Sequence, residues 1–161
     1  FQDSLTITPQ SSDGVMVMKR AHELGLEGVM AKRADSLYSA GRSKAWLKLK
    51  PVHQATFIVT GTTPGMGARS STFGAVVVSL WDDASGQLVE VGEVGSGFTQ
   101  DDLVDMVGRL SEGRVTMVEV QYQEVTKDRR LRFPVFRGVR DDVAFIDCST
   151  AQLDARIENV A

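Results

Sequence analysis

A mostly β fold with short helices is what this sequence of 161 residues predicts, and two observations lead to that class. After Pro51, segments of strand composition follow one another in series, separated by turn residues. One helical pattern interrupts the series, with Leu103, Val107 and Leu110 at i, i+4 and i+7. Three strands, one helix and two more strands is the order of a five-stranded OB-fold barrel. A small SH3-like barrel is the alternative architecture.

The first predicted elements are a helix and two short strands. Asp13 is placed to cap a helix over residues 15–24, and Gly25 to end it, because glycine accepts the left-handed conformation that follows a helix. Residues 28–32 are mostly apolar and predict a buried strand, and a polar loop comes next. Residues 46–50 alternate, which predicts a strand with its two lysines on one face.

Pro51 interrupts this alternation and marks the predicted boundary between a domain of residues 1–50 and a domain of residues 51–161. Thr99 is placed to cap the helix of the second domain. The glycine-rich residues 61–67 predict a long hairpin connection. The strands predicted in the second domain are 56–60, 73–81, 88–94 and 115–122, with one or two more between 131 and 146.

The composition is that of a soluble globular protein, with 42% hydrophobic and 24% charged residues. No apolar run approaches the roughly 20 residues of a membrane span, so no membrane partner is expected. Cys148 is the only cysteine and there are two histidines, which argues against a disulfide and against a cysteine or histidine metal site. Phe1 opens no signal peptide, so we expect the cut end of a longer, intracellular chain.

Charge is distributed unevenly along the chain. Residues 1–50 contain 8 Lys and Arg against 5 Asp and Glu, whereas residues 51–161 contain 10 against 16. A basic run inside the acidic part can still meet a phosphate backbone, although a solvated strand-and-turn face is the favoured interpretation by charge alone. The run consists of Lys127, Arg129, Arg130, Arg132, Arg137 and Arg140.

Four charged residues before Pro51 are candidates for a nucleotide site. A carboxylate at Glu27 can hold Mg²⁺, which prefers oxygen ligands, although a surface glutamate is the simpler interpretation of its spacing. Glu27 and Lys32 have opposite parity on a regular strand, so a shared site requires a bulge or both strand ends near one cleft. Lys48 and Lys50 repel each other unless an anion or solvent lies between them; a hydrated edge strand is the equal alternative.

Two segments of the second domain can contact phosphates. The hydroxyls and backbone amides around Arg69, Ser70, Ser71 and Thr72 can bind a phosphate backbone without reading sequence, although most such hairpins are only turns. Residues 133–142 mix arginines with aromatic residues, and arginine binds phosphate through a planar fork. The alternative there is a barrel strand with aromatic residues inward and arginines outward.

Together, five segments resemble the ATP-dependent DNA ligases, particularly bacterial enzymes of the end-joining type. They are residues 25–33, 41–50, 72–75, 91–98 and 133–140. The resemblance implies the C-terminal part of such a ligase. Residues 1–50 would be the last segment of the adenylation domain, an ATP-grasp-like nucleotidyltransferase, and residues 51–161 the OB-fold domain.

Ligases of this family attach AMP to a lysine, pass it to the 5′-phosphate at a nick, and join the 3′-hydroxyl with release of AMP. The resemblance implies ATP (AMP) and Mg²⁺ or Mn²⁺ as cofactors, with Glu27 as the metal-binding acid. Nicked duplex DNA and the missing N-terminal part of the adenylation domain are the implied partners. The expected nucleotide-binding residues are Glu27, Lys32, Arg42, Lys48, Lys50, Arg140 and Asp142, and the expected DNA-binding residues are Arg69, Ser70, Ser71 and Thr72.

The sequence departs from the family pattern in two places. It has no Lys-x-Asp-Gly motif, whose lysine takes AMP, so the chain is expected to be inactive alone. Val143 stands where related ligases often have a lysine after Asp142, which weakens the final motif. The alternatives are a non-catalytic OB-fold module that binds nucleic acid, or part of an RNA ligase or capping enzyme. The implied setting is the bacterial cytoplasm and nucleoid, in DNA repair, replication or recombination.

Overall fold

A computed structural model describes residues 10–157, with the backbone alone for residues 155–157. The chain divides into two compact units, one ending at Pro51 and one beginning at Val52. Their assignment to two domains of a ligase stays a prediction. The predicted class, mostly β with short helices, is confirmed. Among the described residues no helix is long and apolar enough to cross a membrane.

The first unit contains helix α1 (Gly14–Glu23) and the strands β1 (Val29–Lys32) and β2 (Trp46–Leu49). Asp13 caps the helix, because its side chain accepts a hydrogen bond from the backbone N–H of Met16 at 3.0 Å. Gly25 follows the helix with φ 61°, in the left-handed region. The predicted cap, helix and terminating glycine are confirmed.

Strands β1 and β2 pair antiparallel, with Met30 opposite Lys48 and Lys32 opposite Trp46. The prediction of a buried strand over residues 28–32 is wrong, since Met30 is 50% exposed and the last three residues of β1 are all exposed. Two four-residue strands and one helix carry too little apolar surface to cover both faces of a sheet within this unit. The pairing still brings the basic side chains of both strands onto one face.

The second unit is built on a five-stranded antiparallel sheet. Its strands are β3 (His53–Pro64), β4 (Phe73–Asp82), β5 (Gln87–Val94), β6 (Met117–Tyr122) and β9 (Val135–Val139), and the remaining elements are α2 (Gln100–Ser111), the short pair β7 (Glu124–Val125) and β8 (Leu131–Arg132), and α3 (Ala151–Ile157). The sheet order is β5-β4-β3-β6-β9, which agrees with three strands, a helix and two more strands. Helix α2 begins with the predicted cap: Thr99 and Asp102 form a capping box.

The chain just beyond the edge strand β5 contacts the other edge strand, β9, next to the core. The backbone N–H of Phe136 donates to the carbonyl of Ser96 at 2.9 Å, just beyond the end of β5. The ring of Phe136 stacks on Phe98 with centroids 4.2 Å apart, and Phe136 is 2% exposed. A Cβ at Gly97 would lie 2.3 Å from the carbonyl oxygen of Phe136, so only glycine permits this approach.

The predicted hairpin connection over residues 61–67 is wrong in its position. Strand β3 continues through Gly61, which pairs with Val77 of β4, and the connection comprises residues 65–72 with a 3₁₀ turn at Gly67–Arg69. Two register shifts let β3 stay paired beyond Val59. Gly61 is therefore a strand residue beside an irregularity, a common place for glycine, and not the start of a turn.

Candidate nucleotide and nucleic-acid sites

Glu27 and two lysines form an ion cluster in the first unit. The Oε1 atom of Glu27 accepts from the Nζ of Lys48 at 2.6 Å and lies 3.4 Å from the Nζ of Lys50. The pKa of Glu27 is lowered, chiefly by the hydrogen bond from Lys48 and then by Lys50. The cluster therefore combines one negative and two positive charges. It has a net charge of +1 and suits an anion that can share the ammonium groups.

Gly28 makes this cluster possible. Its φ of +156° and its close approach to β2 leave no room for a side chain, since a Cβ would lie 2.3 Å from the carbonyl oxygen of Leu49. The chain can pass this close only without a Cβ. Glu27 lies just outside β1, so its side chain reaches Lys48 without obeying the alternation of a regular strand.

Lys32 is held in a different way from the other two lysines. Its Nζ lies 4.2 Å from the ring centroid of Trp46, the residue opposite it in the register, and Tyr38 packs edge-on to Trp46 with centroids 5.7 Å apart. Lys32, Trp46, Lys48 and Lys50 define what we call the lysine face. Arg42 lies exposed in the loop between the two strands, where its expected contact with a nucleotide stays a prediction.

The metal ligand set is small. The described part of the chain contains no group of three or more His, Cys, Asp and Glu side chains arranged around a metal. Glu27 supplies one carboxylate, which fits a metal such as Mg²⁺ that binds through one or two carboxylates together with substrate phosphates. Its role as a metal ligand stays a prediction.

Arg69 is tied to the backbone of its own unit. Its Nη1 donates to the carbonyl of Gly95 at 2.7 Å and to that of Gly74 at 3.2 Å, joining the 65–72 connection to the ends of β4 and β5. Thr72 closes the turn through its backbone N–H and its hydroxyl, both directed at the carbonyl of Arg69. Ser70 and Ser71 remain exposed and are the hydroxyls in this connection that solvent reaches most freely.

Arg140 and Asp142 contact each other directly. The guanidinium of Arg140 donates from Nε and Nη2 to the two carboxylate oxygens of Asp142, each at 2.8 Å. Its Nη1 donates to Glu119 of β6 at 2.7 Å. The hydrogen bonds from Arg140 lower the pKa of Asp142 to about 2. Sequence reasoning paired Arg140 with Asp142 but gave no signal for Glu119.

The basic run of the second unit is largely neutralised. Its members form these pairs: Arg129 with Asp154, Arg130 with Glu90, Arg132 with Glu124, and Arg140 with Asp142 and Glu119. Arg137 instead donates to the neutral amide oxygen of Gln121, at 3.0 Å and 2.6 Å, and stays exposed. Most residues of the run therefore form ion pairs on a strand-and-turn face. This agrees with the interpretation that charge alone favours.

Two phenylalanines in this region have opposite environments. Phe136 points into the core, as the barrel-strand alternative predicts. Phe133 is 60% exposed, has φ 54° in the left-handed region, and carries the guanidinium of Arg132 at 5.6 Å from its ring centroid. An exposed aromatic ring on a strained backbone is typical of a contact site, and sequence reasoning did not single it out.

Comparison with known proteins gives one consistent result. No protein-family model matches the chain. The DNA ligase of Thermococcus onnurineus is 36% identical, over 94% of this chain and 30% of its own length. The multifunctional non-homologous end joining protein LigD of Mycolicibacterium smegmatis is 36% identical, over 81% of this chain and 20% of its own length. The solved structure Pmar-Lig_Pre superposes with a TM-score of 0.62 at 32% identity, over 79% of this chain and 30% of that one.

The fold and these relatives define a class of protein, the DNA ligases. Within that class the chain is homologous to the C-terminal part, and it spans less than a third of the length of the relatives described above. The resemblance carried by the five sequence segments is confirmed. The roles of the individual site residues stay predictions.

Proposed function

We propose that this chain is the C-terminal part of an ATP-dependent DNA ligase that seals nicks in duplex DNA through enzyme–AMP and DNA–adenylate intermediates. One observation carries the proposal: in a chain 36% identical to a DNA ligase, the β1–β2 strand pair brings Glu27 together with the lysine face. ATP (AMP) is the proposed nucleotide, with Mg²⁺ or Mn²⁺ as the metal. The 161 residues contain no Lys-x-Asp-Gly, so the lysine that takes AMP would come from the rest of the ligase.

The proposed role of the lysine face is electrostatic. Transfer at phosphorus depends mainly on positioning and on stabilising negative charge. Lys48 and Lys50 would exchange the Glu27 carboxylate for phosphate oxygens, and Glu27 would then be free to hold the metal. Lys32 adds a positive charge that no carboxylate within the described residues neutralises, because the ring of Trp46 is its partner.

The second unit would contribute contacts to DNA and to the leaving group. Ser70 and Ser71 offer hydroxyls to phosphates, and Phe133 offers an exposed ring that can stack on a base or sugar. Arg140 and Asp142 would orient the pyrophosphate that leaves when AMP is transferred to the enzyme. Contact with nicked duplex DNA is therefore proposed for this unit.

Lys48→Ala in the complete ligase tests the proposal, with Lys44→Ala as its control. Both lysines are exposed, but Lys44 lies in the loop outside the lysine face, and Lys48 contacts Glu27. We expect Lys48→Ala to slow formation of the enzyme–AMP adduct by about a hundredfold, as loss of a charge-stabilising donor does. Binding of nicked DNA, measured by gel shift, should stay near the wild-type level in both variants.

Three other results would change the proposed residue roles or the proposed class of protein. If Lys48→Ala abolished nick binding but left adduct formation unchanged, the nucleotide and DNA roles would have to be exchanged. A complete protein that binds nucleic acid and never forms an AMP adduct would instead be a non-catalytic OB-fold module. A protein that forms the adduct but seals only RNA ends, or transfers the nucleotide to them, would belong with RNA ligases or capping enzymes.

A further inference from the structure

The turn that carries Arg140 and Asp142 is held by the strand next to it. Glu119 lies within β6, where it pairs with Gly138 of β9, and its side chain accepts from Nη1 of Arg140 at 2.7 Å. The backbone N–H of Arg140 donates to the carbonyl of Met117 at 2.8 Å. The Glu119 side chain is 27% exposed, against 68% for Asp142. Of the two carboxylates that bind Arg140, the less exposed one is therefore supplied by the sheet.

The same turn is held from helix α2. The Nη1 and Nη2 of Arg109 donate to the two carboxylate oxygens of Asp141 at 2.7 Å and 3.1 Å, and Nε donates to Asp105 at 2.7 Å. The Arg109 side chain is 19% exposed. Residues 140–142 are thus fixed by a strand through Glu119 and by a helix through Arg109.

We infer that Glu119 is a positioning residue for Arg140, and that Arg109 supports the same turn through Asp141. The inference rests on the proposed function, in which Arg140 and Asp142 orient the leaving pyrophosphate. A guanidinium has five N–H donors, and Glu119 and Asp142 accept from three of them. Two donors remain for phosphate oxygens, on a planar group whose orientation two carboxylates already fix.

The benefit of Glu119 is its geometry and not its charge. Arg140, Asp142 and Glu119 together have a net charge of −1, which opposes the approach of a polyanionic leaving group. The negative charge of Glu119 by itself would weaken binding of the pyrophosphate. Orienting the Arg140 guanidinium requires only an acceptor oxygen at the right distance. Glutamine supplies that oxygen without the charge, and aspartate supplies the charge one methylene short.

The test compares Glu119→Asp and Glu119→Gln in the complete ligase, with Glu124→Gln as control. Glu124 is an exposed glutamate at 3.7 Å from Arg132. Three steps are measured: adduct formation from ATP, its reversal by pyrophosphate, and sealing of a nick that already carries AMP. We expect Glu119→Asp to slow the first two steps by about tenfold to a hundredfold, as misplacement of a catalytic group does. Sealing of the adenylated nick should stay within twofold, and Glu119→Gln should resemble wild type throughout.

The outcomes separate this inference from the proposed function. If the wild-type complete protein forms no AMP adduct, the proposed function fails. If wild type forms it, Arg140→Ala does not, and Glu119→Asp matches wild type, only the positioning role fails. A loss in Glu119→Gln with wild-type rates in Glu119→Asp would show that charge matters and would overturn the inference. So would an equal fall of all three steps in a variant that keeps the wild-type Tm.

Discussion

Substitution of Phe136 tests whether its ring belongs to the buried core of the second unit. The ring is 2% exposed and stacks on Phe98 at 4.2 Å with an interplanar angle of 14°, and Phe98 in turn packs edge-on to Phe73 at 5.3 Å. Phe136→Ala removes the ring where β9 contacts the chain that follows β5. A buried Phe→Ala change costs about 3–5 kcal/mol, since lost burial and the cavity both contribute.

Phe133→Ala is the matched control, because it removes the same side chain three positions earlier from a site that is 60% exposed. A substitution of this kind on the surface changes the free energy of unfolding by about 0.5 kcal/mol or less. Any effect of composition, expression or chain length is common to the two variants. The difference between them therefore reflects mainly the burial of the Phe136 ring.

Differential scanning calorimetry of the 161-residue chain is the assay. We expect Phe136→Ala to lower the Tm of the second unit by about 12 °C or more, since 1 kcal/mol shifts the Tm of a small domain by about 4–8 °C. Phe133→Ala should stay within about 4 °C of the parent chain. Equal Tm values for the two variants would refute the burial of Phe136 in the core.

Three more predictions follow from the two units. The 161-residue chain, incubated with labelled ATP and a divalent metal, should form no acid-labile AMP adduct, because it has no Lys-x-Asp-Gly; a labelled lysine would contradict this. Hydrogen exchange should be slow between residues 73 and 122 and faster before Trp46, because the described residues of the first unit have little buried surface; equal protection would contradict it. Arg140 holds the pKa of Asp142 at about 2, below its ordinary 3.8, so the folded state binds fewer protons. The stabilisation is present above pH 3.8 and lost as the pH falls toward 2, and Asp142→Asn should make the urea midpoint less dependent on pH in that interval; an unchanged dependence would contradict the pairing.

Local elements of the fold were predictable because their signals lie within a few residues. The caps at Asp13 and Thr99 are set by side chains that bond to nearby backbone N–H groups. The end of α1 is set by Gly25, which adopts the left-handed backbone conformation. The series of strands was also predictable from composition. The position of the 65–72 connection was not, because register shifts between β3 and β4 let a glycine remain in the ladder.

The first unit illustrates a burial error with a physical reason. The mostly apolar run of residues 28–32 predicts a buried strand, and Met30 is nevertheless half exposed. An apolar run indicates that a strand can be buried, but the one helix and two short strands described in this unit supply too little apolar surface to bury it. An apolar sequence pattern does not show which surface, if any, will cover the strand.

By itself the sequence determined the β class, the helix caps, the shared face of Lys48 and Lys50, and the homology to the C-terminal part of DNA ligases. Only the tertiary structure decided which charges meet. Glu27 and Lys48 are 21 residues apart, and Arg109 and Asp141 are 32 apart. Such contacts depend on strand register and on the path of the connecting loops, and a shift of one residue would turn a side chain to the other face of the sheet. No local pattern encodes that choice.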